Sequence, residues 1–477
     1  MSMNNRKIKL QTPNSKLQTA VFLFLLLFMF AVASASSALE LQAKSVRPFG
    51  DNPLTVVSDV PGKLTIQAWM GTLPLKDVTT ETEIEPGPTE INWTGLTWQD
   101  EPVPRGDVRL MATLTHPDGT TESAETQIRV ASPHPAVISC IPTVDRFHPD
   151  GRTPLNIECT LSAAGTCLVE IVSADNPDEI LWQAQEMCDG KSAVVFKWYG
   201  KNKDRYTCPP GEYLISAHSK TQPQWVQTAV VTVLADPLPP LVIEETGPLI
   251  PEDLTDDAAV WQALTAPVVV GKGPEGKGLV IYAREGAKYE RIASVSCRTV
   301  GVTVLAPADE EGWVHVGVWR QNDSVYTEGY VKEDTLQVIR PNALYGAVLD
   351  KTAQTLTIYG RGERLGTMLV STGLENKGRI SETNSGAYLL GTRLSSFVND
   401  GYSYNYPIRI DGFNLIHSIG YKMRDGKVDY SDQIAELGKK ASHGCVRMDV
   451  RGDQGLNAWW VWTHMGRDSK IIITDDH

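Results

Sequence analysis

The sequence has 477 residues, a length that predicts roughly three or four domains. Its 57 acidic side chains outnumber its 44 lysines and arginines, and the formal net charge is −13 at pH 7. Because an acidic chain is repelled by a phosphate backbone, this balance excludes nucleic acid as an expected partner.

The first 38 residues have the pattern of an export signal. Four basic side chains precede a 14-residue apolar run, residues 20–33, and the small residues of 31–35 follow. This order is typical of a signal peptide, and an uncleaved N-terminal anchor is the alternative. Cleavage after Ala35 would remove the four positive charges and move the net charge from −13 to −17 (−13 minus 4). We therefore expect an exported protein that contacts a membrane only through this segment, if it is not cleaved.

Export makes disulfides an expectation, because oxidising compartments favour them. Five of the seven cysteines lie between residues 140 and 208. If Cys445 is a free nucleophile, the other six allow up to three disulfides, and the sequence does not fix their pairing. Cys297 lies apart from the cluster and is expected to be a free buried thiol. No Cys-x-x-Cys pair is present, so no zinc site is expected.

Residues 39–132 and 133–235 contain an internal repeat. Trp-Thr-Gly at 93–95 recurs as Trp-Tyr-Gly at 198–200, and the Pro-x-Gly that follows each copy keeps the same offset of 105 residues. Both copies alternate apolar and polar residues between Gly/Pro turns, which predicts two β-sandwiches. Gly-Glu-Tyr before an alternating strand resembles an immunoglobulin-like module of exported bacterial proteins. No catalytic constellation is found in either copy, so both are interpreted as spacer or contact modules.

Residues 236–257 are Pro-rich and acidic, and they are predicted to form an extended, fairly stiff linker. Residues 258–341 contain short apolar runs at close spacing, which predict β-strands. Their Gly-Trp-Val and Gly-Tyr-Val steps resemble a small Src-homology-3-like barrel. Residues 342–477 follow without a flexible linker and are predicted to be β-rich with one or two helices. The predicted fold class of the whole chain is therefore mainly β.

Two elements near the C-terminus have clear patterns. The apolar residues of 453–466 fit a helix that packs on a sheet and is closed by Gly466. Three successive isoleucines, residues 471–473, are predicted to form a final buried strand.

A cysteine in the last segment stands in Ser-His-Gly-Cys, residues 442–445. A thiolate attacks acyl groups, and a free thiol with a pKa of about 8.5 needs a neighbouring base at neutral pH. By its chemistry either His417 or His443 could be that base. Gly444 lets the backbone approach a ligand closely. The alternative for Cys445 is a buried cysteine with a structural role.

The longer string Ser-His-Gly-Cys-Val-Arg-Met at 442–448, with Ile-His-Ser at 416–418 before it, resembles the signature of the YkuD-type L,D-transpeptidases. The resemblance covers residues 342–475. Val-Ser-Thr-Gly at 370–373 resembles the family's Ser-Thr-Gly turn, and Thr-Asn-Ser-Gly at 383–386 resembles its Thr-Pro-x-Gly segment. The fold implied is a β-rich groove enzyme with the cysteine and a histidine on one wall.

The resemblance also implies a role for each residue of the motif. Cys445 would be the nucleophile and His417 the general base, oriented through its second ring nitrogen by the backbone carbonyl of Ser418. His443 would support the groove. The backbone N–H groups of His443, Gly444 and Cys445 would form the oxyanion hole.

Arg447 and Ser442 are expected to bind substrate. The guanidinium of Arg447 matches a substrate carboxylate, and a salt bridge that orients the loop is its alternative role. Two features depart from the family pattern. Asn384 stands where proline is usual, and the 24 residues of 418–441 exceed the usual gap between the two motifs. We interpret the extra length around residues 422–427 as a surface loop beside the groove, either a lid or a simple insertion.

The reaction implied is acyl transfer on peptidoglycan. The Cys445 thiolate would attack the carbonyl of the third residue of a stem peptide, the terminal D-amino acid would leave, and an amine of a neighbouring stem would take the acyl group. Transfer to water would instead make the protein an L,D-carboxypeptidase. A wall-binding protein with an inactive domain is the alternative from a different class. A papain-type protease lacks support, because no downstream Asn/His pairing follows in the expected order.

The expected partners are peptidoglycan stem peptides, and the expected location is the cell wall or another extracytoplasmic site. Carbapenem-type β-lactams would acylate Cys445, as the resemblance implies. No metal or organic cofactor is expected. We hypothesise that residues 258–341 position the catalytic domain on the wall or shape its substrate groove.

Overall fold

The computed structural model describes residues 39–474 with a few internal gaps. The gaps are 247–248, 252, 286–287, 321–324, 375–380, 395, 425–426 and 452–454. The predicted export segment, residues 1–38, lies outside the described residues. No helix in the described part of the chain is long and apolar enough to cross a membrane. The fold is mainly β, as the sequence predicts, and several of its paired sheets fit β-sandwiches.

The first sandwich combines the three-stranded sheet β1-β2-β5 with the four-stranded sheet β4-β3-β6-β7. Side chains alternate between the two faces of a strand, so the apolar positions of each strand face the other sheet. Leu64, Ile66 and Ala68 of β3 are fully buried in this way. The strands are β1 (Glu40–Ala43), β2 (Asn52–Ser58), β3 (Gly62–Met70), β4 (Leu73–Ile84), β5 (Gly87–Trp93), β6 (Asp107–Thr115) and β7 (Thr121–Arg129).

The second sandwich combines the sheets β13-β10-β8 and β12-β11-β14-β15-β9. Its loop geometry repeats that of the first sandwich. Trp93 and Trp198 are both buried, and each donates from Nε1 to the carbonyl three residues later, Leu96 and Lys201, at 3.0 Å. The strands are β8 (Val137–Pro142), β9 (Arg146–Phe147), β10 (Leu155–Leu161), β11 (Gly165–Ser173), β12 (Asn176–Cys188), β13 (Val194–Trp198), β14 (Gly211–Ser219) and β15 (Gln222–Val233).

The cysteines of the second sandwich do not form the expected disulfides. All seven cysteines are described, and all are free thiols. The five clustered ones belong to the sandwich core, where a thiol packs as a small apolar side chain. Cys140 lies opposite Cys159 on the paired strands β8 and β10, and hydrogen bonds with Cys140 and Cys167, together with burial, raise the pKa of Cys159. Cys297 is buried and free, as expected.

Residues 268–339, the intermediate unit, contain the two-stranded sheet β16-β22 and the five-stranded sheet β18-β17-β21-β20-β19. Valines and isoleucines of both sheets share one core with the C-terminal sheet. The elements are β16 (Val268–Gly271), β17 (Gly278–Glu285), β18 (Lys288–Ser296), β19 (Thr303–Ala306), β20 (Trp313–Trp319), β21 (Tyr326–Lys332), a 3-10 turn (Glu333–Thr335) and β22 (Leu336–Ile339).

A helix that the sequence analysis did not predict precedes this unit. The helix α1 (Asp257–Thr265) begins where Asp256 accepts hydrogen bonds from two backbone N–H groups of the first turn. Its buried residues Val260 and Leu264 pack against the C-terminal sheet, and buried Lys470 donates to the carbonyls at the end of the helix. The start of the segment assigned to a small barrel therefore belongs structurally with the C-terminal sheet.

The C-terminal unit is built on an eight-stranded sheet in the order β26-β34-β23-β24-β25-β33-β30-β29. Its strands are β23 (Tyr345–Asp350), β24 (Thr355–Gly360), β25 (Glu363–Ser371), β26 (Gly386–Leu389), β29 (Ile408–Arg409), β30 (Leu415–Ser418), β33 (Val446–Met448) and β34 (Lys470–Thr474). The remaining elements are β27 (Phe397–Asn399), β28 (Tyr402–Tyr404), β31 (Lys422–Arg424), β32 (Lys427–Asp429), α2 (Ser431–Ile434) and α3 (Ala458–His464). The predicted final strand at 471–473 is confirmed by β34.

The helix predicted at 453–466 is shorter, because Asn457 caps it and α3 ends at His464. Gly466 does not close it in the left-handed conformation. A Cβ at Gly466 would lie 2.5 Å from the Ile141 side chain, so this glycine permits close contact with the second sandwich.

The insertion of residues 418–441 is exposed at Met423 and Arg424, as predicted for a surface segment, but it is not a simple loop. It forms the hairpin β31–β32 and the short helix α2, and its apolar residues join the core of the first sandwich. Val428 and Tyr430 are buried there. The carbonyl of Val428 would lie 2.7 Å from a Cβ at Gly71, so the glycine allows the hairpin to approach. The insertion therefore connects the C-terminal unit to the first sandwich.

A buried carboxyl lies at this contact. Tyr406 of the C-terminal unit donates a hydrogen bond to Glu101 of the first sandwich, and Tyr421 and Tyr430 lie close by. Burial raises the pKa of Glu101 from 4.5 to about 7, and the hydrogen bond from Tyr406 opposes this only in part. The proton therefore binds more tightly in the folded state than in the unfolded chain.

The Glu101→Gln variant is expected to change how stability depends on pH. Since the pKa of Glu101 is raised in the folded state, its contribution is fully present below about pH 4.5 and is lost as the pH rises through about 7. At pH 8 the variant should be more stable than the wild type, on the order of 3 kcal/mol, and near pH 4 the difference should vanish. Denaturant unfolding at both pH values measures this, and parallel pH profiles would contradict it.

Candidate active site

Two neighbouring parallel strands position Cys445 and His417. In β30 and β33, Ile416 lies opposite Val446 and His417 lies opposite Arg447. Cys445 precedes β33, two residues before Arg447, and side chains alternate between faces, so Cys445 and His417 are expected on one face of this strand pair. The N–H of Leu415, at the start of β30, lies 3.4 Å from the Cys445 sulfur.

His417 is held as a neutral imidazole. Its side chain is 2% exposed, and its Nδ1 lies 2.7 Å from the carbonyl oxygen of Ser418. Because a carbonyl only accepts, Nδ1 carries the proton and Nε2 keeps its lone pair. The rings of Tyr404 and Phe397 meet the imidazole at 4.7 and 5.4 Å. Burial lowers the pKa of His417 to about 4, so the ring is uncharged at neutral pH.

The Cys445 thiol needs such a base. Burial raises its pKa, and the nearby Asp411 charge raises it further, while the N–H of Leu415 and the charge of Arg447 act in the opposite direction. The thiol is therefore protonated at neutral pH in the resting site. A neutral imidazole that can accept its proton would convert it to the reactive thiolate.

The loop before Cys445 is fixed by residues from distant segments. Gly444 has a φ of +115°, and a Cβ there would lie 2.4 Å from Oδ1 of Asn414, so only glycine fits. Thr383 donates from Oγ1 to the Gly444 carbonyl at 2.9 Å and accepts from the N–H of Gly373 at 2.9 Å. The two segments singled out as Ser-Thr-Gly and Thr-Asn-Ser-Gly thus meet at this loop.

Ser442 points inward. Its hydroxyl donates to the Cys445 carbonyl at 2.5 Å and accepts from the Gly444 N–H at 3.2 Å, and the residue is 1% exposed. This geometry contradicts the expectation that Ser442 binds substrate, because both of its polar contacts brace the turn. The same contact engages the Gly444 N–H, which was expected to point to an oxyanion.

Arg447 makes the kind of contact that was considered as its alternative role. It forms an ion pair with Glu436 of the insertion, and its side chain is only 10% exposed. In this structure the guanidinium orients the loop and is not directed to open space. His443 is exposed on the outside of the turn.

The sequence analysis missed the turn at residues 411–414. Buried Asp411 accepts from the N–H groups of Phe413 and Asn414, both at 2.6 Å, and from the Asn414 side chain at 2.9 Å. This turn sets the start of β30 and lies against Gly444. Its Asp-Gly-Phe-Asn composition is a usable turn signal.

Asn384, at the usual proline position, also has a clear contact. Its side chain donates to the carbonyl of Arg320, at the end of β20, at 3.1 Å. The substitution thus links the segment that contacts Gly444 to the intermediate unit. Among the described residues, no group of three His, Cys, Asp or Glu side chains could hold a metal ion.

Comparison with known proteins identifies the unit that carries this site. Residues 345–473 match the model of the YkuD family, the L,D-transpeptidase catalytic domain. A putative L,D-transpeptidase, YciB of Bacillus subtilis (strain 168), is 29% identical over 112 residues, which are 23% of this chain. The chain spans about half, 54%, of the length of that relative.

Two solved structures are also similar. An L,D-transpeptidase from Mycobacterium smegmatis aligns with 15% identity over 44% of this chain and 92% of its own, with a TM-score of 0.23. The L,D-transpeptidase LdtMt1, solved in complex with imipenem, aligns with 16% identity over 44% of this chain and 92% of its own, with a TM-score of 0.24. The part of the chain that matches the L,D-transpeptidase catalytic domain of the YkuD family, residues 345–473, includes both motifs, 416–418 and 442–448.

Proposed function

We propose that this domain cross-links peptidoglycan stem peptides through a thioester on Cys445. The observation that carries the proposal is the pairing of β30 with β33, from which we infer that the protonated thiol of Cys445 and the neutral, oriented imidazole of His417 lie on one face. A cysteine and a base arranged in this way are the requirements for acyl transfer by a covalent intermediate. The family match supplies the substrate class.

In the first half-reaction, Nε2 of His417 takes the proton of Cys445, and the sulfur attacks the carbonyl of the third stem residue. The carbonyl oxygen becomes an oxyanion. Because the N–H of Gly444 is engaged by Ser442, we assign the oxyanion donors to the N–H groups of His443 and Cys445. The intermediate collapses, the proton on His417 passes to the leaving amine, and the terminal D-amino acid departs.

In the second half-reaction, the amine of a neighbouring stem attacks the thioester, and His417 accepts its proton. The thiol is regenerated and a cross-link between two stems remains. Water in place of the amine would release a shortened stem, which is the carboxypeptidase outcome. The Phe397 and Tyr404 rings pack against His417 and bury the base that serves either acceptor.

We further propose that the chain acts outside the cytoplasm, at the cell wall. The support is the basic, apolar and small-residue order of residues 1–38. The two sandwiches and the intermediate unit would form the domains that carry the catalytic unit, with the first sandwich held to it by the insertion of 418–441.

The test is a mass measurement on the whole mature chain. Incubation with a carbapenem should add one inhibitor mass, and digestion should map it to the peptide that contains Cys445. Incubation with a stem tetrapeptide should yield a species that has lost its terminal D-amino acid and joined a second stem. A folded, reduced protein that forms neither adduct nor product would remove the proposal, and a shortened stem alone would assign the carboxypeptidase.

A further inference from the structure

We propose that the intermediate unit supplies a carboxylate-binding subsite for the donor stem peptide, with Arg291 as its cation. The proposal rests on the proposed function. The subsite is a cavity of about 390 Å³ between β18 and the turn at residues 411–414. The lining residues that matter here are Arg291, Ser294, Ser296, Arg320 and Phe413.

The cavity is suited to an anion. Two arginines, Arg291 and Arg320, line it, and none of the residues that line it is acidic. Arg291 is exposed and forms no ion pair with any described residue. Ser294 and Ser296 add hydroxyl groups to the same wall. A guanidinium presents paired donors that match both oxygens of a carboxylate, so the chemistry favours a carboxylate over a neutral group.

The cavity adjoins the nucleophile. Phe413 lines it, and Leu415, whose N–H contacts the Cys445 sulfur at 3.4 Å, lies two residues farther along the chain. Two residues of extended chain span roughly 7 Å. On its other side the turn contacts the catalytic loop, because Asn414 lies against Gly444. The cavity edge at Phe413 therefore lies within roughly 7 Å of Leu415, the residue whose N–H contacts the Cys445 sulfur.

An exposed aromatic ring lines the cavity. Phe413 is 75% exposed, a large fraction for a phenylalanine side chain. An extended peptide that crosses this ring would cover it with apolar stem atoms and direct a carboxylate to Arg291. In this arrangement the apolar contact with Phe413 would contribute affinity, and the charged contact with Arg291 would fix the position of the peptide along the groove.

In the part of the donor stem that remains on Cys445 as the thioester, two positions can supply the carboxylate: the free carboxylate of the second residue, or one on the side chain of the third residue. Both present the same group to Arg291. Singly amidated peptides distinguish them, because an amide keeps the shape and removes the charge.

The experiment measures binding of three synthetic tetrapeptides to the full chain with Cys445→Ala, so that no turnover occurs. The peptides are unmodified, amidated at the second residue, or amidated at the third side chain. We expect one of the two amidations to weaken binding about tenfold or more, as for a hydrogen-bonded charge. In the Arg291→Gln background this discrimination should disappear, and Arg291→Lys should keep part of it. Lys288→Gln, on the same strand and outside the cavity, should discriminate like the parent.

The outcomes separate this proposal from the proposed function. Three results would overturn the proposed subsite. The three peptides could bind equally, the Arg291→Gln variant could discriminate among them as well as its parent does, or no peptide could bind at all. Failure of the Cys445-containing chain to form a carbapenem adduct would instead overturn the catalytic proposal, and the peptide measurement would still stand. With Cys445 present, Arg291→Gln should raise KM for the preferred peptide about tenfold and leave kcat within a few-fold.

Discussion

The His417→Ala variant is expected to acylate Cys445 with a carbapenem about 10²- to 10⁴-fold more slowly than the wild type at pH 7. The pKa of the Cys445 thiol is raised by burial, so without a base the thiol remains protonated. His417 is the buried, oriented and uncharged group that can take this proton. The rate of adduct formation, followed by time-resolved intact-mass spectrometry, measures the effect.

The pH profile gives the same prediction an independent signature. Because the pKa of His417 is lowered to about 4, its neutral form persists well below pH 6, and the wild-type rate should fall only as the pH approaches about 4. In His417→Ala the rate should instead rise with pH, as hydroxide deprotonates the thiol. An acid limb near pH 6.5 in the wild type would contradict the buried, neutral imidazole.

Matched variants identify the base. Cys445→Ala should form no adduct, and its signal gives the background of the measurement. His443→Ala removes an exposed ring on the outside of the same turn and should change the rate by no more than a few-fold. A larger loss in His443→Ala than in His417→Ala would transfer the role of the base to His443, the other candidate that the sequence offers.

Cys445 could be singled out as a candidate nucleophile because the residues that suggest this role, 442–445, are adjacent in the sequence. The contacts that fix the geometry of the loop at Cys445 could not be predicted, since they join residues that are far apart in the sequence. Thr383 reaches the Gly444 carbonyl across 61 residues. Arg447 finds Glu436 within an insertion whose fold the sequence did not indicate. The positive charge of Arg447 alone does not indicate whether its partner is a substrate carboxylate or the carboxylate of Glu436.

The fold also has parts that could be predicted from the sequence and parts that could not. Period-two alternation predicts strands such as β3, because each strand buries one face. The helix α1 was missed, although Asp256 is a cap and Val260 and Leu264 have helical spacing, because the Pro-rich acidic residues before it favoured a linker. The contact between the insertion and the first sandwich could not be predicted for another reason. Apolar residues indicate that a segment is buried, but they do not indicate which surface of the protein buries it.

The Tyr430→Ala variant is expected to lower the free energy of unfolding by about 3–5 kcal/mol, the usual cost of deleting a buried aromatic side chain. Tyr430 is 6% exposed and belongs to the core of the first sandwich, although its chain position is in the C-terminal unit. Its ring meets that of Tyr421 at 5.3 Å. Truncation would leave a cavity where the insertion crosses onto the sandwich. Denaturant unfolding followed by tryptophan fluorescence measures the loss.

Two matched variants separate the interface from general effects on the chain. Tyr430→Phe keeps the ring and should cost less than about 1.5 kcal/mol, since a near-isosteric replacement leaves the packing intact. Tyr206→Ala removes a tyrosine that is 73% exposed in the second sandwich, and should change stability by no more than about 0.5 kcal/mol. If Tyr430→Ala resembles Tyr206→Ala, the insertion does not hold the first sandwich. If it matches the expected loss, the extra residues between the motifs at 416–418 and 442–448 hold the first sandwich to the C-terminal unit. The Arg447–Glu436 ion pair then connects these residues to β33, the strand that follows Cys445.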